Sequence, residues 1–200
     1  MTEQETGLVP EGLEFLDQED IIFPRIRLVQ PTSKTDNGKP GDFVNDLTGE
    51  VFRERRLHVV RYYPGQALWD DESDVPICVS RDGKVPDPSI ETPFAESCET
   101  CAKSQWIDNK PPDCAKTYSF VVIDLESGMP CTLQVSRTSA QAAKKILSFA
   151  FLNKLPLREL ECKIASKEQR QGRGVYYIVT ASEFARATND AATALAVSEL

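Results

Sequence analysis

Histidine occurs once in this 200-residue chain, at position 58. One imidazole cannot form an acid/base pair, and the chain also lacks a glycine loop for phosphates and a nucleophile elbow. The run Asp70-Asp71-Glu72 reads as a solvated turn, and Asp124 and Glu126 as polar residues of a hairpin turn. A non-catalytic protein is therefore expected. No stretch of 18 apolar residues is present, so no membrane-spanning helix is expected. The opening Met-Thr-Glu-Gln-Glu-Thr has neither the basic nor the apolar part of a secretory signal. A reducing, cytoplasmic setting follows, and in it the six cysteines are not expected to form disulfides.

Four of those cysteines are spaced for a metal. Cys98 and Cys101 form a two-residue knuckle, and Cys114 returns after a loop that carries Trp106 and Pro111-Pro112. Cys78, 20 positions before Cys98 in an apolar pair that runs into a polar turn, supplies the fourth sulfur. Four protein ligands close a tetrahedral shell, so the expected Zn2+ is structural. The segment 78–114 holds five prolines and little apolar periodicity, and so needs such a staple. His58 is the substitute ligand, but it sits in the alternating run Leu57-His58-Val59-Val60 and reads as an outward strand residue. Cys131, in phase with Leu133 and Val135, reads as core, and Cys162 as uninvolved.

Net charge is -8, unevenly spread. Residues 1–20 carry -7 and 64–130 carry -8, whereas 21–63 carry +3 and 131–186 carry +6. A phosphate senses charge within a Debye length, so an acidic chain of this kind still has a basic body.

Along the chain, residues 1–20 read as an acidic disordered tail, 21–187 as one domain with a cysteine-bearing insertion at about 66–116, and 188–200 as a flexible tail. Arg25-Ile26-Arg27-Leu28 is a half-buried strand with both arginines on one face. A longer strand runs from Val51 to Tyr63, with a bulge near its start to reconcile its two mixed faces, and Pro64-Gly65 closes it. Thr117–Asp124 and Pro130–Val135 form a hairpin. Thr138 with Gln141 makes a capping box for a helix whose inner face is Ala140, Ala143, Ile146, Leu147 and Ala150. A last hairpin joins 160–165 to 174–179 across a basic loop with Lys167, Arg170 and Arg173, and Ser182 to Ala187 starts a short helix. About five strands and one capped helix describe a mainly β, β-rich α+β fold: a small Greek-key barrel of the OB type.

The basic body predicts a binder of single-stranded nucleic acid. Arg25, Arg27, Arg55, Arg61, Arg137, Arg170 and Arg173 supply the charged track, and Tyr62, Trp69 and Trp106 the stacking faces. About half of the chain's aromatics are expected in the core, given how often aromatics are buried. The alternative is a zinc-stabilised module that binds a host polymerase or replication protein through its acidic insertion.

Several runs occur in a suggestive order: Phe23-Pro24-Arg25-Ile26-Arg27-Leu28, Gly41-Asp42-Phe43 with Leu47-Thr48-Gly49-Glu50, Cys98-x2-Cys101 with Trp106 and Pro111-Pro112-Asp113-Cys114, Ser136-Arg137-Thr138-Ser139, and Gly174-Val175-Tyr176-Tyr177. Together they resemble phage-type single-stranded DNA-binding proteins with an OB fold and a cysteine-bearing insertion. The resemblance implies coating of displaced DNA strands in replication or recombination, in a bacterial cell and encoded there or by a phage. Replication and recombination proteins are the implied partners. Such proteins often end in an acidic tip, whereas this chain ends Ala-Val-Ser-Glu-Leu, so recruitment of partners through the C-terminus is not expected.

Overall fold

In the computed structural model the described residues are 15, 17, 20–33, 37–70, 76–91, 94–172 and 174–187. Most of the two expected tails, and Arg173, lie outside them. The described chain is mainly β, with one α-helix against a curled sheet. In chain order the strands are β1 (Arg25–Leu28), β2 (Phe43–Asn45), β3 (Val51–Phe52), β4 (Glu54–Trp69), β5 (Pro76–Ser80), β6 (Ala115–Asp124) and β7 (Pro130–Ser136). After helix α1 (Ala140–Leu152) come β8 (Leu160–Gln171) and β9 (Gly174–Arg186). The sheet order is β3-β2-β1-β7-β6-β4-β8-β9, with β5 paired to β4. All pairings are antiparallel except β1 with β7.

Strand β4 is the spine. It pairs with β6 from Leu57 to Ala67, with β8 from Glu54 to Val59, and with β5 from Gln66 to Trp69. It does not stop at Pro64-Gly65, as the sequence suggests. Those residues fall between the end of the β8 ladder and the start of the β5 ladder, where β4 has a partner on one side only. A proline there need not break a ladder bond. At Gly65 the neighbouring chains close in: a Cβ would stand 2.6 Å from Thr117 Oγ1 and 2.9 Å from the Ser80 carbonyl, so only glycine fits.

The core gathers Ile26, Phe43, Leu57, Val59, Phe120, Leu133 and Val135 with Leu160, Cys162 and Ile164. Helix α1 lays Ala142, Ala143, Ile146 and Ala150 on it. Cys131 and Cys162 are buried, as expected, and burial pushes their thiols up to about 11 and about 12.

Other expectations are corrected. The capping box does not form. Thr138 lies in a 3-10 turn over Arg137–Ser139, and Ser139 is the N-cap without a capping side-chain bond. Its hydroxyl instead accepts the Val179 amide at 3.0 Å, tying the helix start to β9. The basic stretch from Lys167 is paired strand up to a turn at 172–173, and Ser182–Arg186 is strand rather than helix. There β8 supplies ladder partners, and Phe184 stacks on Phe149 of α1 at 5.0 Å.

The sheet's far side curls toward its start. The Gln30 side chain, just past β1, accepts the Tyr177 amide at 2.9 Å and donates to the Tyr177 carbonyl at 2.8 Å. One amide side chain thus takes the place of a ladder step between β1 and β9.

Candidate nucleic-acid interface and cysteine cluster

The ladders place residues of four strands in register. Arg25 on β1 is opposite Thr132 on β7, Thr132 opposite Val121 on β6, and Val121 opposite Arg61 on β4. The next line of that face is Gln134, Ser119 and Tyr63. Arg27 follows Arg25 on the same side of β1. Arg25, Arg27, Gln134, Arg61 and Tyr63 are exposed, and the smaller side chains between them are partly so. Four strands at about 4.8 Å spacing put Arg25 and Arg61 ~14 Å apart across this floor. No carboxylate stands in these two lines, and among the described residues no ion pair involves Arg25 or Arg27. Arg61 donates to the Tyr63 hydroxyl at 3.0 Å, and its guanidinium lies 6.0 Å from that ring's centre.

The β4–β6 register shifts between Val59 and Arg61, and this bulge decides which side chains reach the face. Leu57 and Val59 point into the core, yet Arg61 and Tyr63, of the same parity, point out. Tyr62 therefore turns inward, 5.4 Å from the Phe120 ring and 6.1 Å from Tyr118. Burial, then the nearby Tyr118 hydroxyl, raises its pKa above the ordinary value. Tyr62 is corrected from a stacking face to a core contact, and Tyr63 takes the exposed position. Ser119, Thr132 and Gln134 were not singled out from sequence either. Their signal is the polar phase of an otherwise apolar hairpin.

Arg55 is also corrected. It precedes the bulge and points inward at 4% exposure, bound to Glu50 at 2.5 Å and Glu126 at 2.7 Å, with Asp124 at 3.7 Å. Its guanidinium lies 4.2 Å from the Phe52 ring centre. Burial works against its charge, but the Glu50 bond and the three carboxylates outweigh that and hold its pKa above the ordinary value. It is not placed to touch a phosphate. Arg170, near the β8–β9 turn, is exposed and paired with Glu168 at 2.9 Å. Arg137, also exposed, donates to the Asp113 carbonyl at 3.1 Å.

The second assembly lies between β4 and β6. Cys78, Cys98, Cys101 and Cys114 line one pocket of about 20 Å³, with Leu68, Phe94 and Ser104. That is room for one water-sized or ion-sized occupant. Cys78 stands in strand β5 opposite Leu68, not in a turn. Burial first, then the neighbouring Cys98 and Cys101, pushes its thiol up. Burial likewise raises Cys114, opposed by a Ser104 hydrogen bond and reinforced by the other three cysteines. All six cysteines are free thiols. As the side chains stand, no group of three or more His, Cys, Asp or Glu among the described residues is drawn together closely enough to hold a metal. His58 is no substitute: it is buried at 5% exposure, with Nε2 2.6 Å from the Arg158 carbonyl, because the turn before β8 covers that end of the sheet. The outward placement expected for it is thereby corrected.

Gln66 of β4 joins the two assemblies. Its Oε1 accepts the Ser104 hydroxyl at 2.9 Å and the Cys114 thiol at 3.6 Å, and its Nε2 donates to the Gly83 carbonyl at 3.3 Å. Trp69, at the end of β4, is half exposed, and Trp106 is 70% exposed. Trp106 precedes a tight turn bridged from Ile107 to Lys110, with Asp108 and Asn109 at positive φ. No protein-family model, curated protein or solved structure matches the chain. No helix among the described residues is long and apolar enough to cross a membrane.

Proposed function

We propose that this chain binds single-stranded DNA without catalysing a reaction, on the outer face of β1, β7, β6 and β4. The observation that carries the reading is the line Arg25, Thr132, Val121, Arg61, with Arg27, Gln134, Ser119 and Tyr63 beside it. Arginines at its two edges attract the phosphates of a passing strand, and the Tyr63 ring offers a base a stacking surface. The small side chains between leave the floor open. The strand order β8-β4-β6-β7 supports an OB-type Greek key, three consecutive antiparallel strands with a fourth returning beside the first after a helix. The Gln30 clasp to Tyr177 extends that arrangement toward a closed barrel. Protection of strands during replication or recombination, in a bacterial or phage setting, is the role such a binder fills.

We assign Cys78, Cys98, Cys101 and Cys114 as the ligands of a structural zinc. Their convergence on one ion-sized pocket supports this. When bound, the ion supplies cross-linking and no reaction chemistry, since four thiolates leave it no open position. Drawing the sulfurs in requires side-chain adjustment from the arrangement described.

A second reading, a module that binds a replication protein, is favoured by the exposed Val85, Phe94, Trp106 and Ile107 on the acidic segment. Titration with fluorescent oligothymidylate at several salt concentrations separates the two. Binding should be tight and salt-dependent, and Arg25→Ala/Arg27→Ala/Arg61→Ala should reduce the slope of log K against log salt by about 2, at about 0.7 per lost phosphate contact. Unchanged affinity in the folded triple variant removes the proposed face.

A further inference from the structure

Beside the cysteine pocket an open groove of about 500 Å³ lies on the other side of β4 and β6 from Tyr63. Gln66 and Lys116, directly opposite each other in the ladder, form its floor and one rim. Lys84, Ser97, Ser104 and Gln105 complete it. We infer that this groove is a phosphate-binding subsite, with Lys84 and Lys116 as the charges and Ser97 and Gln105 as hydrogen-bond donors.

The two lysines are exposed, and no ion pair among the described residues holds either, whereas Lys103 nearby is taken by Asp113 at 3.0 Å. The Ser97 hydroxyl accepts the Glu99 amide at 3.2 Å and keeps its own proton to give. Gln105 spends one amide N–H on the Glu99 carbonyl and has a second. Glu99 also lines the groove, and its single carboxylate is outnumbered by the two ammonium groups. The walls are fixed. Gln66 binds Ser104 and Gly83, and the Cys98 amide donates to the Lys84 carbonyl at 2.8 Å. Two point charges over a ring of neutral donors suit a group with several anionic oxygens.

The phosphate has two sources: a free phosphate group, or the backbone of the strand proposed to cross the sheet, in which case the inference rests on that reading. The second route is geometrically direct. Gln66 is three residues beyond Tyr63, ~10 Å along β4. Between Val59, the last residue paired to β8, and Gln66, the first paired to β5, the sheet has no strand on that side of β4. A nucleic-acid strand leaving Tyr63 passes through this notch to the Lys84–Lys116 groove.

The test uses the full, zinc-loaded chain and two probes, inorganic phosphate and oligothymidylate. Side-chain amide NMR signals of Gln66 and Gln105 are followed in the native chain, in Lys84→Ala/Lys116→Ala and in Lys84→Gln/Lys116→Gln, with zinc content and melting temperature checked in each. Both amides should shift on adding oligothymidylate to the native chain and stay still in the variants, whose salt slope should fall by about 1.4. Shifts with inorganic phosphate alone support the subsite and assign it the free group. If neither probe moves the amides, the subsite is overturned, while lost affinity in the Arg25/Arg27/Arg61 variant still upholds the sheet face. If oligothymidylate binds nowhere, the single-strand reading falls and the phosphate arm alone decides the subsite.

Discussion

Arg55 and Arg61 stand six residues apart on one strand, and they have opposite surroundings. Arg55 is enclosed by Glu50, Asp124 and Glu126, and of the three Asp124 is almost fully buried. Removing the guanidinium returns the two glutamates to water but leaves Asp124 without its counter-charge. Arg55→Ala is therefore expected to destabilise the fold by about 3 to 5 kcal/mol in denaturant titration, as for other broken buried pairs. Arg61→Ala should leave the melting temperature within about a degree or two of native and act on DNA affinity alone, as a surface change does. The buried thiols give a pH signature. With pKa values of about 11 for Cys131 and about 12 for Cys162, against an ordinary value near 9, the fold disfavours both thiolates. Their contribution to stability is complete below the unfolded pKa and is lost as pH rises from about 9 through 11 and 12. Unfolding midpoints at about pH 8 and about pH 10.5 should therefore drop more in the native chain than in Cys162→Ala.

At the scale of elements, the bulge between Val59 and Arg61 sets what the central strand offers to each side. Tyr63→Ala should cost about 1 to 3 kcal/mol of binding with the salt slope nearly intact, the mark of a lost stacking partner. Tyr62→Ala should instead lower the melting temperature, because its ring packs on Phe120 and Tyr118. Equal effects of the two on stability would place both rings in the core and leave the face without its aromatic. The same bulge explains what the sequence made legible. Alternation alone identified β1 with its two arginines, the β6–β7 hairpin, the inward Cys131 and most of the inner face of α1, because each has an unbroken period. It failed on β4, where one extra residue inverts the parity, so Arg55 and Arg61 look alike in sequence and Tyr62 looks exposed. Ends were misread where tertiary partners extend an element past its local signals. β4 runs through Pro64-Gly65 because β6 lies alongside, and β9 runs to Arg186 because β8 and Phe149 hold it. The four cysteines were legible because knuckle spacing is a covalent signal that needs no knowledge of the sheet. The notch and the Lys84–Lys116 groove were not, since both depend on where one ladder ends and another begins.

Across the whole molecule, burial is divided unequally. The sheet and α1 hold nearly all buried apolar residues, whereas among the described residues between 76 and 114 Cys98 alone is a buried apolar one. That segment is tied to the rest by the short β5 ladder, by Gln66 and by the cysteine cluster. Without a core of its own, it relies on metal binding for its folding free energy. Removing the metal with a chelator, or Cys101→Ser, should therefore separate two levels of stability. Amide exchange in 76–114 should quicken by orders of magnitude, since local opening there then costs little, while protection in β6, β7 and β8 persists. DNA affinity should fall by less than in the Arg25/Arg27/Arg61 variant, because the face formed by β1, β7, β6 and β4 stays folded and only the groove contacts at Lys84 and Lys116 are loosened. The hydrogen-exchange pattern checks this directly. Loss of protection throughout the sheet on metal removal would make the cysteine segment part of a single folding unit, and unchanged protection at 76–114 would leave the four thiols without a structural role for metal.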